Sequence, residues 1–142
     1  MNYDEESKLR GAVLRGDLEY VKAHAAQAPN DLIDNLLLLS CRDGYLDLVK
    51  YLVEEQAGDL DADFTEDVPG GAFILAFQEG NNDIIQYILY EQEFEFGYKT
   101  TNWLEQYEPN SLKLIEERDM KWKLMEDLKT LHTKDSTPKP KI

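Results

Sequence analysis

One pattern occurs three times along this chain and constrains its fold more than any other feature. It appears at Arg15-Gly16-Asp17-Leu18-Glu19-Tyr20-Val21-Lys22, at Asp43-Gly44-Tyr45-Leu46-Asp47-Leu48-Val49-Lys50 and at Glu79-Gly80-Asn81-Asn82-Asp83-Ile84-Ile85-Gln86. An apolar stretch with helical spacing precedes each glycine. A short polar start and a second apolar helix follow it. Glycine suits the left-handed conformation that ends the first helix of each pair. The glycines lie 28 and 36 residues apart, within the roughly 20–50-residue periods of repeat architectures.

Aligning the units on glycine predicts the burial pattern. Ala12, Ser40 and Ala76 stand four positions before it, where two helices approach closely, and Leu9, Leu37 and Phe73 stand seven before it. The second helices carry stripes at Tyr20, Val21, His24 and Ala25, at Leu48, Val49, Leu52 and Val53, and at Ile84, Ile85, Ile88 and Leu89. Each stripe follows the i, i+1, i+4, i+5 spacing that a helix presents on one side. Glu19 with Lys22 and Asp47 with Lys50 read as solvent-facing pairs. Asp17 and Asn81, directly after their glycines, are expected to cap the second helices. Cys41 aligns with Val13 and Phe77 and reads as a small buried hydrophobe rather than a nucleophile.

Gly44-Tyr-Leu-Asp-Leu-Val-Lys-Tyr-Leu-Val53 resembles the second-helix signature of ankyrin repeats. The resemblance covers about Lys8 to Glu93. The family's Thr-Pro-Leu-His opening falls at Asn35–Leu38 and Gly71–Ile74, and neither segment matches it. Another paired-helix solenoid suits the same pattern. The expected fold is all-α: an ankyrin-like solenoid of stacked helix-turn-helix units with a C-terminal helical cap. A single domain spans residues 1–132, with units at about 5–29, 30–66 and 67–99 and the cap at about 101–132. Polar and small residues in the first unit suit an N-terminal cap. In the C-terminal cap, Leu112, Ile115, Trp122, Met125 and Leu128 keep a helical stripe, and Pro109 suits a first turn. The stripe leaves open whether this is one helix or two, broken near Asp119. Residues 133–142 read as a disordered tail.

The chain has 142 residues, with 29 acidic and 15 basic side chains and a net charge of −14. Residues 51–100 hold twelve acids and one base, Lys99, so a net −11 falls there. This balance argues against nucleic-acid binding and against anionic membranes. No apolar run approaches the ~20 residues that span a bilayer. The acidic start is unlike a signal peptide, and one cysteine forms no internal disulfide. A cytoplasmic or nuclear protein is expected, a monomer when unbound.

The densest acids, Asp59, Asp61, Asp63, Glu66 and Asp67, lie with Phe64 in the connection between units two and three. The next connection carries Glu91, Glu93, Phe94, Glu95, Phe96 and Tyr98, with Trp103 nearby. The ankyrin resemblance implies that such fingers and the first helices line the partner surface. Acids would steer a basic protein partner, and Phe64, Phe96, Tyr98 and Trp103, flanked by Glu95, would anchor it. Two readings stand beside each other. The acids form a binding patch, or they keep a small repeat protein soluble while the aromatics tuck under the fingers.

Enzymatic constellations fail on inspection. Asp59-x-Asp61-x-Asp63 opens like a calcium loop, but the sixth and twelfth positions are Phe64 and Gly70 instead of glycine and glutamate. His24 and His132 lack zinc-ligand spacing. Gly70-Gly71 sits among acids that repel phosphate. The expectation is a non-catalytic protein-binding module without cofactor or metal, either an adaptor or chaperone-like binder or a stoichiometric inhibitor covering the basic site of a nuclease-like toxin.

Overall fold

The computed structural model describes residues 1–92 and 94–135, without the side chains of 132–135. Every extended element among them is helical. Helices α1 (Tyr3–Leu14) and α2 (Leu18–His24) form the first pair, α3 (Asn30–Asp43) and α4 (Leu46–Glu54) the second, and α5 (Gly71–Gln78) and α6 (Asn82–Gln86) the third. α2 runs into a 3-10 turn at Ala25–Gln27, and α6 into a π turn at Tyr87–Glu91. α7 (Tyr98–Tyr107) and α8 (Pro109–Asp135) follow. α8 is one unbroken helix, which resolves the question left open near Asp119. The expected tail lies outside the described residues from residue 136 onward, as does Glu93.

The three turns are built alike. Gly16, Gly44 and Gly80 have φ of +71°, +85° and +71°. The N–H groups of Asp17, Tyr45 and Asn81 donate to the carbonyls of Ala12, Ser40 and Ala76 at 2.9, 3.0 and 2.9 Å. These are the 6→1 bonds of a Schellman ending. Ala12, Ser40 and Ala76 are fully buried, as are Leu9, Leu37 and Phe73. The register drawn from the glycines is therefore the register of the core. Leu48, Val49, Leu52, Ile84, Ile85, Ile88 and Leu89 are buried on the second helices, and Cys41 is buried on α3. In the first unit, His24 is exposed and its Nδ1 lies 2.8 Å from the Tyr20 carbonyl oxygen.

Contacts run in two files. α1 packs on α3 and α3 on α5, while α2 packs on α4 and α4 on α6. Polar bonds join successive pairs. Asp17 caps α2, its Oδ1 accepting from the Tyr20 N–H at 3.1 Å. Asn81 does not cap its own helix. Its Nδ2 donates to the carbonyls of Cys41 and Arg42, at 2.8 and 3.1 Å, in the pair before. Tyr45 does the same one step earlier, its hydroxyl donating to the Leu14 carbonyl at 3.3 Å. Lys22 and Lys50 also reach across to the next pair. Their Nζ atoms lie 5.8 and 5.5 Å from the ring centroids of Tyr51 and Tyr87, and Lys50 pairs with Glu91 at 3.6 Å. The Tyr87 hydroxyl donates to Glu54 at 2.9 Å, and burial together with that carboxylate pushes its pKa upward.

The glycines separate backbone strain from crowding. A Cβ on Gly80 meets nothing within 4 Å, whereas one on Gly16 lies 2.7 Å from the Tyr45 ring. Gly80→Ala should cost about 1–2 kcal/mol, the strain of a left-handed alanine alone. Gly16→Ala should cost about 1 kcal/mol more, because the Tyr45 ring must move and release Leu14. Urea unfolding of both variants measures the difference, and equal losses would mean that the ring yields freely.

Candidate functional site

The connection between α4 and α5, residues 55–70, holds the densest acids and is stapled by its own backbone. The Gly58 N–H donates to the Leu52 carbonyl at 2.8 Å, ending α4, and Leu60 turns inward and is buried. Asp34 on α3 accepts from the Asp59 N–H at 2.9 Å, and Asp59 Oδ1 accepts from the Asp61 N–H at 2.8 Å. Partial burial raises the Asp34 carboxyl above its ordinary pKa, opposed by the bond from Asp59. Farther out, the Phe64 N–H donates to the Val68 carbonyl at 2.8 Å, and Thr65 Oγ1 accepts from the Asp67 N–H at 3.3 Å. This tight turn leaves Glu66 and Asp67 exposed at the tip, with Phe64 51% exposed beside them. The Gly71 N–H closes the finger on the Ala62 carbonyl at 3.0 Å.

α7 braces the finger from the side. Buried Thr100 donates its hydroxyl to Asp61 Oδ1 at 2.8 Å. Lys99 Nζ meets Asp63 Oδ2 at 3.5 Å, an exposed pair worth at most about 1 kcal/mol. Asp61 is therefore half-buried and engaged, while Asp63 stays exposed but partly neutralised. Tyr98 stands 79% exposed at the start of α7. Trp103, one turn on, is half-buried, with its ring centroid 4.9 Å from that of Tyr107. Between fingertip and α7 lies an open depression of about 430 Å³, lined by Asp67, Lys99, Asn102 and Trp103 among others.

The expected site residues thus fall into three places. Asp59, Asp61, Asp63, Phe64, Glu66 and Asp67 share the finger, and α7 brings Tyr98 and Trp103 beside it. Glu95 lies apart, in a groove with Tyr90, Trp122 and Met125. Phe96 faces inward. It packs edge-on against Phe73 and Phe94, with centroids 5.1 and 5.0 Å apart, and lies under Arg118.

Arg118 escaped the sequence reading. It is 1% exposed, donates Nη1 to the Phe94 carbonyl at 2.7 Å, bonds Asp119 through Nη2 at 2.7 Å, and lies 4.1 Å from the Trp122 ring centroid. The available signal was its spacing with Ile115 and Trp122 on one helix face. α8 itself departs from the expected cap. Ser111 and Ile115 are buried and Leu112 is half-buried, but Met125 and Leu128 stand exposed.

Burial pushes the Cys41 thiol up to about 12, so it stays protonated. Among the described residues no group of three His, Cys, Asp or Glu is placed to hold a metal ion, and no helix is long and apolar enough to cross a membrane. No protein-family model, curated protein or solved structure matches the chain.

Proposed function

We propose that the chain is a non-catalytic protein-binding module, an ankyrin-like stack of three helix pairs whose acidic finger docks a basic protein surface. The observation that carries the reading is the braced, exposed fingertip. Glu66 and Asp67 project with Phe64 from a turn fixed by backbone bonds, and Tyr98 stands exposed on the helix that braces it. A preorganised finger loses little conformational entropy on binding. The ankyrin-like reading draws on the two files of helix contacts and on three turns of one design. The non-catalytic reading draws on the lone cysteine, buried and held protonated.

In this module the acids steer and the aromatics anchor. Asp63, Glu66 and Asp67 supply the exposed charge, and Phe64 and Tyr98 supply apolar contact. Exposed charges act over about 8 Å at physiological ionic strength, so docking weakens as salt rises. The test is affinity capture by the intact chain at low and high salt, beside a variant with Asp63→Asn, Glu66→Gln and Asp67→Asn. Captured proteins should be basic, should be released by salt, and should associate with the variant about tenfold more slowly. A partner that binds chain and variant at one rate, insensitive to salt, would sink the steering role.

A further inference from the structure

α8 carries a buried face and an exposed apolar one on opposite sides. Ser111, Ile115, Arg118 and Trp122 follow one meridian, turned toward the helix pairs. Met120, Leu124, Leu128 and Leu131 follow another, about half a turn round at about 3.6 residues per turn. These four are 55% to 72% exposed. Intervals of four, four and three residues are those of a helix–helix seam. Because the helix pairs lie on the far side, no bend of α8 toward them covers the stripe.

We propose that this stripe joins two copies of the chain through an antiparallel α8–α8 contact, about a two-fold axis passing midway between Leu124 and Leu128. The stripe has the symmetry that such an axis needs. Met120 meets the partner's Leu131, and Leu124 meets the partner's Leu128. The flanking charges agree. Lys123 and Asp127 are exposed, one turn apart on the same flank, so the axis sets Lys123 against the partner's Asp127 and Asp127 against the partner's Lys123.

The net charge of −14 selects the same direction. A parallel contact brings the two acidic bodies side by side. The antiparallel one separates the two Ile115 positions by about 30 Å, at about 1.5 Å per residue. That is several times the ~8 Å screening length. Burying four such side chains from each copy removes on the order of 800 Å² from water, below the size of standard stable interfaces. The dimer is therefore one that dissociates on dilution, in place of the monomer expected from the sequence. It uses a surface separate from the finger and does not rest on the binding reading above.

Sedimentation of the intact chain, from micromolar to near-millimolar concentration, reads the mass directly. The expected result is a rise from one chain toward two. Leu124→Glu with Leu128→Glu should hold the mass at one chain throughout, with an unchanged thermal midpoint because both positions are exposed. Lys123→Glu or Asp127→Lys alone should raise the dissociation constant about threefold or more, and the two together should restore it. A single-chain mass at the highest concentration overturns the proposal, as does a double-glutamate variant that associates like the original. Single charge variants that weaken association without mutual rescue overturn the antiparallel register.

Discussion

Replacing Leu52 by alanine should destabilise the protein by about 2–5 kcal/mol, the range for emptying a well-packed leucine site. Leu52 is fully buried on α4, the middle helix of the file α2–α4–α6, so neighbours on both sides lose contact with it. Its carbonyl also receives the Gly58 N–H that ends the helix, and collapse of the site is resisted by that bond. The aligned position in the first unit, His24, is exposed. His24→Ala should therefore change stability by no more than about 0.5 kcal/mol, as for ordinary surface substitutions. Urea unfolding at fixed pH compares the two. A loss under 0.5 kcal/mol at Leu52 would mean that the site relaxes fully and that the seam between units is not close-packed.

Arg118→Ala is the second large effect, with an expected loss of about 2–4 kcal/mol. Two terms build it. The half-buried Phe94 carbonyl loses its charged donor, which costs roughly 1–3 kcal/mol. The rings of Phe96 and Trp122 lose a cation held 5.3 and 4.1 Å from their centroids, worth about 0.5–2 kcal/mol together with the packing of its stem. Asp119 adds little, because its carboxylate is 58% exposed and returns to water when the guanidinium is gone. Asp119→Asn should accordingly cost less than about 1 kcal/mol. Arg118→Lys should recover only part of the loss, since an ammonium has no planar fork to stack on two rings and reach Phe94 together. Thermal unfolding followed by far-ultraviolet circular dichroism reads the loss, and an alanine variant as stable as the original would remove Arg118 from the account of how α8 is held.

The residues that were legible beforehand are those whose role repeats locally. Gly16, Gly44 and Gly80 mark their turns because a left-handed residue is needed there whatever lies beyond, and the small residues four places earlier follow from the close approach of two adjacent helices. Residues that act between pairs were misread. Lys22 and Lys50 look like partners of Glu19 and Asp47 when only one helix is considered, and Asn81 looks like a cap. Their contacts depend on how far the next pair is displaced, which periodicity does not encode. Arg118 was hidden because a charge in a stripe reads as a solvent-facing position. The engagement of Asp61 was hidden because its partner, Thr100, lies 39 residues away. In the candidate site the finger and its acids were visible as composition, but the brace from α7, the inward turn of Phe96 and the separation of Glu95 were not.

The third turn differs from the first two in what it receives. Gly16 accepts the ring of Tyr45 against its bare backbone, and Gly44 accepts the amide of Asn81, while Gly80, with the same left-handed backbone, receives nothing among the described residues. The socket at Gly80 is intact and empty. The turn itself therefore keeps the form of the two before it. What differs is the segment that follows, from which no described side chain comes within 4 Å of a Cβ placed at Gly80.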